Sequence, residues 1–229
     1  MKILCTICGR KGSKGVKNKN LINIKGKPLI YYSIKHALKS KLFDHIVVST
    51  DGSKIQKTAK RYGASSWFLR SKLLSNSTAP KIPVIKDVLL KSESYFNTIF
   101  DYIVDLDISS PLRDPKDITK AFKIFLKNKN NNLFSVFASK KNPYFNMVEK
   151  IDNRVCLSKK SKISVTSRQV SPEVFSLNAS IYIWKRKSLI NQKKLFGKKT
   201  GIYIMPEEKS IDIDSNFDLK IVKSLIKKI

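Results

Sequence analysis

Two stretches of this 229-residue chain hold the residue types that handle phosphate and its counter-ion. The first reads Gly9-Arg10-Lys11-Gly12-Ser13-Lys14-Gly15-Val16-Lys17-Asn18-Lys19-Asn20 and follows directly on an apolar run. Glycines let backbone N–H groups approach phosphate oxygens, and cationic side chains neutralise their charge. The spacing is GxxGxxG, which is neither the Walker A loop nor the dinucleotide GxGxxG. A flexible basic surface loop would have the same composition. The second stretch is Ser210-Ile211-Asp212-Ile213-Asp214. On a strand, residues two apart share a face, so Asp212 and Asp214 would point together while Ile211 and Ile213 face the core. Two hard carboxylate oxygens suit Mg²⁺, which keeps several waters and takes its other ligands from phosphates. An ordinary half-exposed strand fits that pattern equally well.

A rival acidic pair is Asp105-x-Asp107, at the end of the run FDYIVDL. Many glycosyltransferases hold a metal–nucleotide-sugar complex through such a pair, but that reading leaves the glycine-rich loop and the IDID stretch unexplained. Cys5 and Cys8 form a CxxC. A structural zinc site needs two further ligands, and only Cys156, His36 and His45 remain. Cysteines three apart on a strand point to opposite faces, so both read as small buried hydrophobes.

The elements that must position these residues alternate along the first two thirds of the chain. Residues 2–8 read as a strand, 28–38 as a helix, 45–50 as a strand, and a helix follows to Tyr62. A short third strand is expected over 65–69, and 81–96 is a helix opened by Pro80 and Pro83. Residues 100–106 form a near-continuous apolar strand, and 117–126 a helix. This alternation predicts an α/β sandwich around a mainly parallel sheet. After Asn130, strand-like segments follow one another without helices (133–138, 144–150, 154–157), which suggests an antiparallel excursion. Strands over 177–184 and 201–205 return to the sheet. A final helix carries Phe217, Ile221, Val222, Leu225 and Ile226 as one stripe, with Ser215 and Asp218 as its capping box. No linker divides the chain, so one domain over 1–229 is expected.

Hydrophobic residues make up 41% of the chain, enough for a packed core. No apolar run approaches the ~20 residues of a membrane span, and the short N-terminal run lacks a cleavage site. A cytoplasmic protein without a membrane partner is expected. The net charge is +29, from 46 Lys and Arg against 17 Asp and Glu. The lysines are spread along the whole chain rather than gathered in one patch. That favours a small polyanion over nucleic acid as partner.

The stretch ICGRKGSKGVKNKNLINIKGKPLI resembles the N-terminal signature of the acylneuraminate cytidylyltransferase family, Ala-Arg-x-Gly-Ser-Lys-Gly, a spacer, Lys-Asn, then Gly-Lys-Pro-Leu. Gly9 stands where Ala is common and Lys17 where Pro is common. Three later blocks agree in order: IVDLDISSPLR, RQVSPEVFSLNASIY (the family has Asn-Gly-x-Ile-Tyr) and SIDIDSNFDL. The resemblance implies a three-layer α/β/α sandwich with a Rossmann-like nucleotidyltransferase sheet, a small antiparallel dimerisation excursion over about 142–172, and a homodimer. It implies that the sugar's anomeric hydroxyl attacks the α-phosphorus of CTP, with Mg²⁺ as cofactor. By motif match, Arg10, Lys19 and Asp214 are catalytic. Arg10, Gly12, Ser13, Gly15, Lys19, Asn20 and Arg70 bind the nucleotide, although Ser71 replaces the proline usual after Arg70. Asp212 and Asp214 hold the metal. Asp107, Arg168, Gln169, Asn178 and Tyr182 face the sugar, Arg168 as a fork on its carboxylate, reaching the partner's site across the dimer.

The second substrate implied is a nine-carbon acidic sugar. Phe145, in NPYFNMVE, and Ser176 stand where sialic-acid members often carry cations. A less polar pocket tolerates a methyl where sialic acid has a hydroxymethyl. The expectation is a legionaminic-type acid.

Overall fold

The computed structural model describes residues 1–13, 15–161 and 165–226. Strand β1 (Ile3–Cys8) leads into the hairpin of β2 (Asn23–Ile24) and β3 (Lys27–Pro28), then helix α1 (Leu29–Ser40). Next come β4 (His45–Ser49), α2 (Ser53–Arg61), α3 (Lys81–Phe96), β5 (Tyr102–Leu106) and α4 (Pro115–Lys127). The chain continues through β6 (Asn132–Ala138), β7 (Val148–Ile151), β8 (Arg154–Leu157) and β9 (Phe175–Lys185). It ends with α5 (Arg186–Asn191), β10 (Thr200–Ile204) and α6 (Asn216–Leu225).

Six strands form one sheet in the order β10-β6-β9-β5-β1-β4. All neighbours run parallel except β9, which is antiparallel to both β5 and β6. The alternation of β1 divides the core. Ile3, Cys5 and Ile7 pack with residues of α1, α2, α4 and α6 on one face. Leu4 packs with α3 and Leu189 of α5 on the other, where Cys8 joins the edge of that cluster. The layers are therefore α/β/α, and Cys5 and Cys8 lie on opposite faces as the strand period requires.

Local chemistry sets the element ends. Asp114 caps α4 reciprocally with Asp117, with Pro115 in the first turn. Ser215 and Asp218 form the expected capping box of α6. Between β2 and β3 the turn residues Lys25 and Gly26 both have positive φ, 47° and 83°. That is the geometry a two-residue hairpin demands, and Gly26 adopts it without strain.

Three expected strands are shorter or absent, each because the backbone finds other partners. Over 65–69 there is one bridge, Val47 to Ser65. Beyond it the Phe68 carbonyl accepts from Gln56 Nε2, and Arg70 N–H donates to the Thr50 carbonyl. The strand expected from Tyr144 begins only at Val148. Asn142 gathers the chain before it: its carbonyl accepts from the N–H groups of Phe145, Asn146 and Met147, and its Oδ1 from that of Tyr144. Asp212–Asp214 is not a sheet strand. Ile213 N–H donates to Ser109 O, and the N–H groups of Asp214 and Ser215 turn to Asp218.

Strand β9 pairs with β6 through a register shift opposite Ser135. Ala179 lies there at φ 52°, where the family motif has glycine. A left-handed Cβ costs roughly 1–2 kcal/mol, offset in part by burial of the methyl and by the freer unfolded chain of glycine. Ala179→Gly is therefore expected to stabilise the protein by about 0.5–1 kcal/mol in urea unfolding. A destabilised variant would mean that methyl packing outweighs the strain.

Candidate active site

A cleft of about 240 Å³ opens at the carboxyl ends of β1 and β5, where open α/β sheets bind ligands. It joins the loop after β1 (Gly9, Arg10, Ser13, Gly15, Lys19, Asn20) to Asp107, just beyond β5, and Asp214, just before α6. The loop is tied by Asn20, whose buried amide donates to the Arg10 carbonyl at 2.9 Å. Asn18, left-handed at φ 54°, turns the chain into the short helix that carries Lys19 and Asn20. Gly15 is required by packing, since a Cβ there would run into the Asp214 carbonyl oxygen. Gly12 faces open space. The room an alanine methyl would take at Gly9 is filled by Ile108 Cδ1, 2.5 Å from the Cβ position. Lys14 lies outside the described residues.

Lys19 bridges the two termini of the site. Its Nζ donates to Ile213 O at 2.7 Å and pairs with Asp214 Oδ1 at 3.1 Å. The Arg10 guanidinium has no partner among the described residues and lines the cleft. Asn20 also lines an adjoining hollow of about 640 Å³ that extends towards Asp51 and Leu69.

The acidic side of the cleft is organised by Lys81, which was not among the residues singled out in the sequence. Its Nζ lies 3.0 Å from Asp105 Oδ2, 3.1 Å from Asp107 Oδ2 and 4.3 Å from the centre of the Tyr182 ring. The sheet makes this arrangement: Asp105 sits in register between Thr6 on β1 and Tyr182 on β9. Helix α3 starts over that point. Thr6 Oγ1 donates to the other oxygen of Asp105 at 2.7 Å. Asp107 Oδ1 accepts from Ser109 N–H and Oγ. Burial alone would raise the Asp107 carboxyl, but Lys81 and the Ser109 donors outweigh it and hold it down at about 2. Both carboxylates of the Asp105-x-Asp107 pair are thus bridged by one ammonium from within the protein.

Asp212 is the opposite case. Its Oδ1 is buried with no hydrogen-bond partner among the described residues. Burial, then the charge of Asp107, pushes its carboxyl up to about 6, with the Ser109 hydrogen bond opposing and the Asp214 charge adding. An orphaned carboxylate oxygen crowded by two like charges fits a hard divalent cation, so the donor set suits Mg²⁺ with Asp212 and Asp214 as ligands.

Of the other expected site residues, Asn178, Tyr182 and Arg70 are buried. Asn178 is buried, with Oδ1 accepting from Ser135 Oγ at 2.6 Å and Nδ2 donating to Ser210 Oγ at 2.9 Å. Its amide thereby braces the start of the 210–214 segment. Tyr182 is buried beneath Lys81. Arg70 is buried, with Nε donating to Ser75 Oγ at 3.2 Å, and is not part of the cleft lining. Arg168 and Gln169 are exposed and also lie outside that lining. Arg113, the last residue of ISSPLR, is fully buried beneath the site. Its guanidinium holds Ser180 O, Ser33 Oγ and the Asp107 carbonyl at 2.6, 2.7 and 2.9 Å. Its place in a motif was legible; its role as a strut for Asp107 was not.

The Asp212 shift has a measurable sign. The carboxyl is raised in the folded state from an ordinary value of 3.8 to about 6. The folded protein therefore holds that proton more tightly, and stability falls as pH rises between these values. Above about pH 6 the deficit is complete. Asp212→Asn is expected to stabilise the metal-free protein at pH 8 by on the order of 1 kcal/mol, with no gain below pH 4. A gain independent of pH in thermal unfolding would contradict this electrostatic account.

Over residues 4–229 the chain matches the family model for Cytidylyltransferase. It is 50% identical over 226 residues to the post-translational flagellin modification protein B of Campylobacter coli, covering 99% of this chain and 95% of that protein. It is 48% identical over 225 residues to the CMP-N,N'-diacetyllegionaminic acid synthase of Campylobacter jejuni, covering 98% and 95%. Among solved structures, a CMP:2-keto-3-deoxy-manno-octonic acid synthetase complexed with CTP has a TM-score of 0.70 over 98% of each chain. At 17% identity that likeness concerns the fold alone. Because the match runs from the first strand of the sheet to the last residue, this chain belongs to the cytidylyltransferase family.

Proposed function

We propose that this enzyme joins CMP from CTP to a nine-carbon acidic sugar of the legionaminic type, with release of diphosphate. The observation that carries the reading is the charge pattern of the cleft. Arg10 offers an unpaired guanidinium, and Asp212 a buried carboxylate oxygen without a partner. A nucleoside triphosphate accompanied by a divalent cation supplies the complement of both.

In this reading Arg10 and Lys19 hold the triphosphate, with Ser13 and the backbone of Gly12 and Gly15. Asn20 and Arg70 serve the ribose and base. Lys19 exchanges Asp214 for phosphate when the nucleotide enters, which frees the Asp214 carboxylate. Bound to Asp212 and Asp214, Mg²⁺ would screen the phosphate charge and polarise the α-phosphate. The anomeric hydroxyl attacks the α-phosphorus in line. Such chemistry depends on positioning and charge stabilisation rather than on a covalent enzyme intermediate.

The sugar would lie beyond Asp107, over Tyr182. The kinship with a CMP-N,N'-diacetyllegionaminic acid synthase supports the legionaminic type, as do Phe145 and Ser176 at positions often cationic in sialic-acid members. We read 142–172 as a dimerisation excursion from a single domain. Its hairpin, β7 and β8, exposes Val148, Ile151, Val155 and Leu157. A two-stranded hairpin of this kind needs a packing partner to be stable. Arg168, exposed in its own chain, would then serve the sugar carboxylate of the neighbouring site. Among the described residues no helix is long and apolar enough to cross a membrane, and the reaction is assigned to the cytoplasm, where CTP is made.

Purified enzyme with CTP and Mg²⁺ should release diphosphate with a higher kcat/KM for diacetyllegionaminic acid than for N-acetylneuraminic acid. The reverse order would overturn the sugar assignment, and no release with either would overturn the reading as a whole. Light scattering at micromolar concentration should give twice the chain mass. A fully active monomer would remove the excursion's assigned role.

A further inference from the structure

Asp107 and Asp214 line the cleft, and Asp105 and Asp212 lie beside them, Asp105 sharing Lys81 with Asp107 and Asp212 feeling the charges of Asp107 and Asp214. Two lysines answer them. Lys19 holds Asp214 loosely, at an exposed position where the carboxylate remains 77% accessible. Lys81 holds Asp105 and Asp107 together, 3.0 and 3.1 Å away. Asp105 is 1% exposed and takes Thr6 on its other oxygen. Two carboxylates at i and i+2 with oxygens converging on one point are an adequate site for a divalent cation, so something must keep a cation off them.

We propose that Lys81 is a positioning residue that occupies the Asp105–Asp107 pair as an internal cation and so reserves the divalent ion for the Asp212 side of the cleft. The proposal rests on the assignment of that ion to Asp212 and Asp214 above. Geometry favours it over a merely structural ion pair. The ammonium is anchored at the first residue of α3, with Pro80 before it and Pro83 two residues after it, which fixes where the side chain starts. The face of Tyr182 closes the far side of the ammonium at 4.3 Å, an arrangement that suits a cation and not a neutral group. Asp107 Oδ2 is engaged by Lys81, whereas Asp212 Oδ1 is a buried carboxylate oxygen without a partner among the described residues. An ion entering the cleft therefore meets one open acidic position rather than two.

The test counts Mn²⁺ bound per chain, from the loss of the free-ion electron paramagnetic resonance signal, on the full-length protein without nucleotide. Lys81→Met should bind one ion more than its parent, and adding Asp107→Asn should remove the extra ion. Lys81→Arg, which restores the charge, should match the parent. A folded Lys81→Met protein with the parent's count would overturn the proposal, as would a gain in Lys81→Arg. Should the methionine variant fail to fold, Lys81→Gln is counted in its place. Independently, Asp107→Asn with Lys81 intact must leave the count unchanged, and a lost ion would show that the pair already takes metal. The parent reading is tested separately. Asp212→Asn should lose the parent's ion, and its retention would sink the metal assignment without touching the comparison at Lys81.

Discussion

The structure depends on one electrostatic constraint: the end of β5 and the segment before α6 bring four carboxylates together beside a small cleft, where Lys19 and Lys81 are the lysines bonded to them. Such groups cannot share a half-buried space unless each finds a compensating charge or hydrogen bond. Asp105 and Asp107 find Lys81, Thr6 and Ser109. Asp214 finds Lys19. Asp212 finds less: its Oδ1 has no partner among the described residues, and burial with the charge of Asp107 pushes its carboxyl up to about 6 against the Ser109 hydrogen bond. The imbalance is what makes the cleft receptive to a nucleotide that arrives with its own cation.

The same constraint explains how distant parts of the chain are drawn together. Lys19 and Ile213 are joined by a 2.7 Å hydrogen bond across 194 residues. The closeness of Gly15 to the Asp214 carbonyl leaves no room for a side chain. Ser109 ties both acidic segments, donating to Asp107 and accepting from Ile213 N–H. Behind them Arg113 spends its guanidinium on backbone and hydroxyl oxygens, and so holds the Asp107 carbonyl in place from below. The loop, the end of β5 and the approach to α6 are one mechanical unit, which is why the site needs both the first and the last thirds of the chain.

Most of the layer order was legible because β1, β4 and β5 are predominantly apolar runs and α3 and α4 keep helical period between clear stops. What was hidden followed from side chains that act as backbone partners. Asn142 looks like any polar residue before a strand, yet it collects the N–H groups of residues 144–147 and shortens β7. In the same way the Gln56 amide takes the Phe68 carbonyl that a strand over 65–69 would have paired. In the site, motif spacing pointed to Arg10, Lys19, Asp212 and Asp214. It could not reveal Lys81, because a lysine at the start of a helix in a chain with 46 basic residues carries no local signal. Only the register that sets Asp105 between Thr6 and Tyr182 identifies what that lysine does. Asn178 shows a related limit: its motif position marks a buried brace as readily as a contact.

The central claim is that the uncompensated carboxylate receives the cation that accompanies CTP. The most direct measurement is anomalous X-ray diffraction from crystals of the enzyme holding CTP and Mn²⁺, in the absence of sugar. The account predicts a single strong Mn²⁺ peak in contact with Asp212 and Asp214, with Lys19 moved onto the triphosphate. A peak bound instead between Asp105 and Asp107, with Asp212 unliganded, would contradict it.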